Sequence, residues 1–274
     1  LCYITKHDYY LAEISPPQCM LENMKKSFPI IKDDPWLQPF APAIEGRHED
    51  ALKKMKELAG KGKLSDFANA YNYYGLHRTD NGWTFREWAP NATDIYIVGP
   101  FNEWTECEPY RMKRLTDGNW EINLPERAMA HGDLFKLHVH WNGGWGERIP
   151  AYATRVVQDD TTKIFSAQVW SPEKPYEFKV HDFVPTVDPL LIYECHIGMA
   201  QNKEAVGSYE EFRTEVLPRI VKLGYNAIQI MAIQEHPYYG SFGYHVSSFY
   251  AASSRFGTPE ELKRLIDDAH AHGL

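Results

Sequence analysis

A change of period constrains this chain more than any other feature. From residue 83 to 170 apolar residues recur at every second position, in WTFREW, DIYIVG, NWEINL, LFKLHVHW and TKIFSAQVW, with the turn-rich clusters PNATD, TDGN and WNGGWG between them. Period two sends one side of each segment inward and the other outward, the pattern of half-buried strands. Short alternating strands in succession with no helix between them predict an antiparallel β-sandwich, placed at residues 68–172. Asn142-Gly143-Gly144 reads as a hairpin turn, and Asp117-Gly118-Asn119 as another one strand earlier.

On either side the period differs. After an extended DPW, residues 34–60 carry Ile44, Ala51, Leu52, Met55 and Leu58 at three-to-four spacing, a helix stopped by Ala59-Gly60. The stretch GKGKLSDFANAYNYYGLHR reads as loop anchored by Phe67, Tyr71 and Tyr74, so residues 24–67 form an N-terminal helical segment. Residues 173–189, just after Pro172, hold Pro175, Pro185 and Pro189 and read as a linker, because proline resists both helix and central strand. Beyond it, Leu190 to Ile197 is an apolar run suited to a strand buried on both faces. Ser208 with Glu211 forms a capping box that opens a helix with Tyr209, Phe212, Val216 and Ile220 inward, as far as Leu223-Gly224. A second buried strand covers Asn226 to Ile233. Thr258-Pro259-Glu260-Glu261 opens another helix, with Leu262, Leu265, Ile266 and Ala269 as its apolar stripe. Two strand–helix units imply a parallel sheet with right-handed crossovers. They can neither close a barrel nor complete a doubly wound sheet, so the chain is expected to continue past Leu274. At the other end, residues 1–23 show no periodicity. The expectation is that they are extraneous and that Met24 is the natural start, which an intact native peptide spanning Asn23 and Met24 would overturn.

Composition narrows the partners. The 274 residues are 43% hydrophobic and 24% charged, as in a soluble globular protein, and the net charge of -8 argues against nucleic acid or an anionic membrane, which need a basic surface. A neutral polymer suits this surface better, and eight Trp and seventeen Tyr could stack on sugar rings. Cys2, Cys19, Cys107 and Cys195 show neither C-x-x-C nor paired His spacing, so no zinc site or disulfide scaffold is indicated and a reducing compartment fits. With no signal-peptide pattern at residues 1–23 and no apolar run long enough to span a bilayer, the expected location is cytoplasmic.

In parallel α/β architectures, sites form on loops leaving the C-terminal ends of strands. Here those loops are HIGMAQNKEAVG and the longer QEHPYYGSFGYHVSSFYAASSRFG, which brings Glu235, His236, Tyr238, Tyr239, Tyr244 and His245 together. Two readings stay open: these residues meet substrate, or the tyrosines pack the loop while the histidines cap local carbonyls. No nucleophile elbow, zinc-protease, Walker or dinucleotide motif is present. Glu194 and Glu235 do not make a glycosidase pair, since the apolar neighbours of Glu194 suggest a structural ion pair or hydrogen bond.

The runs GLHR, FREWAPNATDIYIVGPFNEW, YECHIGMA and VLPRIVKLGYNAIQIMAIQEHPYYGSFGYHVSSFYAASSRFGTPEELKRLIDDAHAHGL closely resemble the eukaryotic-type 1,4-alpha-glucan branching enzymes of the alpha-amylase superfamily. The resemblance covers about residues 30–274. It implies a multidomain β plus α/β protein: the helical segment, a family-forty-eight-type carbohydrate-binding sandwich, and at 190–274 the first two βα units of a (β/α)8 TIM barrel. It further implies cleavage of an alpha-1,4 link and transfer of the chain to a 6-hydroxyl by retaining double displacement, without cofactor or metal. The family's nucleophilic Asp and acid/base Glu lie on later strands, so no catalytic residue falls in this chain and the chain alone is expected to be inactive. Tyr244 matches the tyrosine that stacks under the sugar at the cleavage subsite, with His236 and Tyr239 lining the same cleft. Trp88, Ala89 and Pro90, and Trp104 of FNEW, match residues that contact malto-oligosaccharide, with Asp117, Gly118, Asn119 and the Gly60-Lys61 loop nearby. An exposed indole offers a flat apolar face to the C–H groups of glucose. This chain has FNEW where F-N-G-W is commoner, which places Glu103 in the turn. The partner implied is an alpha-glucan such as glycogen or malto-oligosaccharide. The alternatives are a stand-alone glucan-binding module and the N-terminal part of a glycogen-debranching hydrolase.

Overall fold

The computed structural model describes residues 28–185 and 189–274, so the expected start at Met24 and the segment before it lie outside the described residues. The chain forms two compact units, dividing between Tyr73 and Tyr74. In the first, α1 (Pro29–Asp33) and a 3-10 turn (Pro35–Phe40) lead into α2 (Ala41–Ala59). The Asp34 carboxylate caps the turn by accepting from the Trp36 N–H at 3.0 Å. The helix α2 ends where the Gly60 N–H closes on the Lys56 carbonyl at 2.9 Å. The stretch expected as loop holds one α-helical turn, α3 (Leu64–Phe67), where the Asp66 carboxylate turns back to the Lys63 N–H at 3.0 Å, and a 3-10 turn (Ala70–Asn72).

In the second unit the alternating segments form strands: β1 (Gly75–Thr79), β2 (Gly82–Trp88), β3 (Ala92–Val98), β4 (Lys113–Arg114), β5 (Asn119–Leu124), β6 (Leu134–Trp141), β7 (Gly144–Arg148), β8 (Val156–Gln158) and β9 (Phe165–Gln168). One sheet has the order β1-β2-β5-β4 and the other β3-β6-β9-β8, with β7 also paired to β6. Every neighbouring pair is antiparallel. Trp83, Phe85, Trp120 and Ile122 of the first sheet and Ile95, Ile97, Phe135 and Leu137 of the second bury one another in a shared core. Both expected hairpin turns are present: Trp141 pairs with Gly144 across Asn142-Gly143, and β4 returns into β5 through Asp117-Gly118.

After the sandwich, β10 (Ile192–Cys195) and β11 (Ala227–Ile230) pair in parallel, Ile192 opposite Ala227. Between them α4 runs as an α-helical turn (Tyr209–Glu211), a π-helical turn (Phe212–Val216) and a further α-helical segment (Leu217–Lys222). The cause of the widened turn is Pro218, which has no N–H for the i−4 carbonyl and whose ring would meet it in regular α geometry. The helix α5 (Pro259–Ala271) opens with the expected capping box: the Glu261 N–H reaches the Thr258 hydroxyl at 3.3 Å and the Thr258 N–H the Glu261 carboxylate at 2.6 Å. The DPW segment expected as extended enters the 3-10 turn at Pro35. The second strand, expected as buried, has no buried residue, because β10 is the one strand paired with it among the described residues. Two further expectations change. Leu190, Leu191 and Ile192 are exposed, and the run is buried only from Cys195 on, because β10 has a single strand partner among the described residues. The described residues of the proline-rich stretch form neither helix nor strand, yet residues 176–183 are fixed. Asp267 of α5 accepts from the Tyr176 hydroxyl (2.6 Å) and the N–H groups of Lys179 (2.9 Å) and Val180 (3.0 Å), and Phe183 stacks on His270.

Candidate functional site

The end of β2 carries the first group of candidate residues. Trp83, Phe85 and Glu87 share the inward parity of β2, which leaves Trp88 on the outward side, 56% exposed. Its indole N–H donates to the Asp117 carbonyl at 3.0 Å, so the ring is anchored at its edge while a face stays free. The next residue ties the same two segments: the Ala89 N–H donates to the Gly118 carbonyl (2.9 Å), and the Trp120 indole donates to the Ala89 carbonyl (3.0 Å). Gly118 adopts φ +80°, and a Cβ there would lie 2.7 Å from Pro90 Cα, so the Asp117-Gly118 turn can close on Pro90 only with glycine in this place. Asn119 lies opposite Trp88 in the ladder and accepts from the Tyr74 hydroxyl at 2.6 Å. Trp88, Ala89, Pro90, Asp117, Gly118 and Asn119 therefore form one continuous surface at an end of the first sheet.

Beneath that surface lies Glu87, a buried carboxylate on the inward side of β2. It accepts from the N–H of Trp88 and of Ala151, both at 3.0 Å. Burial raises its carboxyl above the usual range, and these two N–H groups hold the rise back. Next to it Tyr74, Tyr152 and Tyr250 stack in a ladder, with ring centroids 5.1 and 4.4 Å apart and planes within 26° of parallel. Burial and the hydrogen bond with Tyr250 push the Tyr152 hydroxyl up to about 12, so it is a neutral donor at physiological pH. The ladder joins the sandwich to β13 (Ser248–Ala252) in the long loop after β11. The sequence signals were slight here: an acidic residue at an inward position of an alternating strand, and tyrosines scattered over 177 positions.

The other candidates lie apart. Trp104, 38% exposed, sits in the turn after β3, on the second sheet. Both Glu103 (φ 55°) and Trp104 (φ 58°) are left-handed there, the conformation that the commoner glycine would take without strain. Gly60 and Lys61 belong to the unit that ends at Tyr73. In the long loop, β12 (Gln234–Glu235) pairs with β13, and a 3-10 turn (Tyr239–Ser241) leads to Phe242, Gly243 and Tyr244. Tyr244 is 68% exposed and Tyr239 half-buried. Gly243 has φ +85°, and a Cβ there would lie 2.3 Å from the Ala232 carbonyl oxygen, so the turn that presents Tyr244 depends on glycine. His236 is fully buried under the loop, its Nδ1 3.0 Å from the Gln234 carbonyl and its ring tilted against Phe256.

Of the two strand-end carboxylates, Glu235 is committed to holding the loop. Glu235 is buried and accepts from the Ser254 N–H (2.7 Å), the His236 N–H (3.1 Å) and the Ser253 hydroxyl (3.4 Å), which spends its lone pairs on holding the loop. Glu194 is exposed on β10 and, among the described residues, forms no ion pair, in contrast to the structural pairing expected for it. Among the described residues there is no cluster of three or more His, Cys, Asp or Glu able to hold a metal ion, and no helix long and apolar enough to cross a membrane.

Comparison with known proteins agrees with this geometry. Residues 73–153 match carbohydrate-binding module 48, the isoamylase N-terminal domain. Over 89% of its length the chain is similar to the 1,4-alpha-glucan-branching enzymes of Yarrowia lipolytica (44% identical over 255 residues) and Dictyostelium discoideum (41% over 252 residues), and it spans 37% of either relative. In fold it resembles the catalytic module of the glycogen-degrading pneumococcal virulence factor SpuA (TM-score 0.58, 15% identity, 81% of this chain and 37% of that one). It also resembles a pullulanase from Anoxybacillus sp. LM18-11 (TM-score 0.55, 22% identity, 73% of this chain and 32% of that one). With an anchored, half-exposed indole surface on a sandwich that matches module 48, the chain is similar over 89% of its length to 1,4-alpha-glucan-branching enzymes and spans about 37% of theirs.

Proposed function

We propose that this chain is the alpha-glucan-holding portion of a branching enzyme, which transfers a chain cut at an alpha-1,4 link to a 6-hydroxyl, and that it binds glucan without itself breaking a bond. The observation that carries this reading is the Trp88 surface, where an indole fixed at its N–H edge stands beside the Asp117-Gly118-Asn119 turn. Glucose stacks on the free face while the turn and Asn119 hydrogen-bond its hydroxyls. Trp104 supplies a second stacking face on the other sheet. Gly60 and Lys61 are proposed as a further contact from the helical unit. Residues 190–274 open a (β/α)8 barrel, and Tyr244, with Tyr239 beside it and His236 as buried support, is one wall of its cleft. The nucleophile and acid/base belong to barrel strands other than the two here, consistent with the structural occupation of Glu235. Cytoplasmic action on glycogen is part of the same reading.

Calorimetric titration of maltoheptaose into the chain tests the proposal. Covering an indole face removes about 50–100 Å² of apolar surface, worth about 1–2.5 kcal/mol, so Trp88→Ala should weaken binding roughly 5- to 50-fold. Unchanged affinity in Trp88→Ala would refute the assignment, and new alpha-1,6 links made by the chain alone would refute its being inactive. A debranching hydrolase is the second reading, since a pullulanase shares the fold. At 22% identity that likeness concerns architecture, whereas the 44% relative is a branching enzyme.

A further inference from the structure

The turn that carries Trp104 is held in a strained shape by hydrogen bonds within the protein. Its first half is tied by Asn102, whose amide donates to the Ile97 carbonyl (2.9 Å) and accepts from the Gly99 N–H (2.9 Å). The Trp104 N–H then closes on the Gly99 carbonyl at 2.8 Å. Glu103 and Trp104, both left-handed, follow one another, and a residue with a Cβ pays free energy for that conformation, so the turn relaxes unless something downstream fixes it. Two residues on stands Glu106. A single carboxylate oxygen of Glu106 lies 3.0 Å from His138 Nδ1 and 2.8 Å from His140 Nε2, both on the outward side of β6, the strand paired with β3.

The surroundings of this clamp are ordered. Trp145 of β7 packs over both imidazoles, with centroids 4.9 and 6.0 Å away, and Tyr96 of β3 meets His140 edge-on. Glu147 lies 3.6 Å from the far nitrogen of His138 and is itself paired with Lys136 at 2.5 Å. Beyond Tyr96 stands the Asp94–Arg111 pair. Burial works to raise the Glu106 carboxyl, but the hydrogen bonds and charges of His140 and His138 outweigh it and hold it below the usual carboxylate range, so it is an ionised acceptor for both rings.

We infer that Glu106, clamped by His138 and His140, is a positioning residue that fixes the Trp104 turn against β6, so that glucan affinity depends on a carboxylate that does not contact the sugar. The inference rests on the proposed role of Trp104 in glucan binding. An aromatic platform on an unfixed turn is present but loose, and the loss shows in affinity rather than in fold.

The test is titration of maltoheptaose into the whole chain and five variants. Trp104→Ala should weaken binding by about 5- to 50-fold. Glu106→Ala should weaken it by about three- to tenfold, less than loss of the indole, and Glu106→Gln, which keeps an acceptor oxygen, should recover to within about twofold. In a Trp104→Ala background, Glu106→Ala should change nothing further. His140→Phe keeps the ring contacts with Trp145 and Tyr96 but removes one donor, and it should also weaken binding if Glu106→Ala proves unable to fold. If Trp104→Ala weakens binding while Glu106→Ala and His140→Phe do not, the inference is overturned and the reading of Trp104 stands. An unchanged affinity in Trp104→Ala overturns both. A further loss from Glu106→Ala in the Trp104→Ala background shows a general structural effect and overturns the inference.

Discussion

Glu103→Gly should stabilise the sandwich, although it deletes an acidic side chain and adds no contact. Glu103 has φ 55° and ψ 31°, and its side chain is exposed. The left-handed conformation costs a residue with a Cβ about 1–2 kcal/mol, because Cβ approaches the following carbonyl oxygen. Glycine removes that cost but loses about 0.5–1 kcal/mol more backbone entropy on folding. The difference favours the variant by about 0.5–1 kcal/mol, which for a unit of this size is about 1–4 °C in Tm. Urea unfolding followed by tryptophan fluorescence reads it as a higher midpoint at unchanged slope. Glu103→Ala is the control: it removes the charge but keeps the Cβ, and it should stay within about 0.5 kcal/mol of the parent. A lower midpoint for Glu103→Gly, or an equal gain from Glu103→Ala, would refute the argument, since backbone conformation would then not be the source.

Gly118→Ala should be destabilising by about 2 kcal/mol or more, since its Cβ would sit 2.7 Å from Pro90 at positive φ, and it should weaken maltoheptaose binding by shifting the Asp117 carbonyl off the Trp88 indole. Asp267→Asn should cost about 1–3 kcal/mol near neutral pH, because it turns an amide donor toward partners that are all donors. Burial alone would raise the Asp267 carboxyl, but the bonds from Tyr176, Lys179 and Val180 bring it below its ordinary range. Its contribution is thus complete above the unfolded-state pKa of about 3.9 and disappears as pH falls through the lower folded value. The parent and Asp267→Asn stability curves should therefore converge in acid. Parallel curves down to pH 2 would count against this account. Burial pushes the Cys195 thiol up to about 12, so native protein at pH 8 should resist iodoacetamide at this position and react there only in urea, as peptide mapping would show.

Much of the sandwich could be read from residue parity. WTFREW places Trp83 and Phe85 in the core and Trp88 outside by alternation alone, and the structure does the same. The strands that escaped notice, β1, β4, β7 and β8, are short or interrupted by glycine and arginine, and they form because a neighbour supplies the ladder. Capping boxes at Ser208 and Thr258 were legible because their hydrogen bonds are local. The anchoring of the proline-rich stretch was not legible, because Asp267 lies 87 residues from Val180 along the chain. Nor was the burial of His236: polar loop composition suggested a cleft, but the ring turns down to its own strand's carbonyl. At the Trp88 surface, sequence offered the residues that face outward, and only tertiary packing disclosed Glu87 beneath them.

The tyrosine ladder bears on how a long polymer is handed over. Tyr74 and Tyr152 belong to the sandwich and Tyr250 to the loop that presents Tyr244, and their stacked rings put the two parts in direct contact. A flexible tether would set the local concentration of captured glucan through its length. On the proposed reading, a stacked seam would set it instead, and a glucan held at Trp88 would be offered to Tyr244 at one distance and one heading. Under that proposal the spacing between these two contacts would act as a ruler along the polymer, and lengthening the Pro150–Ala153 turn that carries Tyr152 would change which stretch of glucan is measured rather than how tightly it is held.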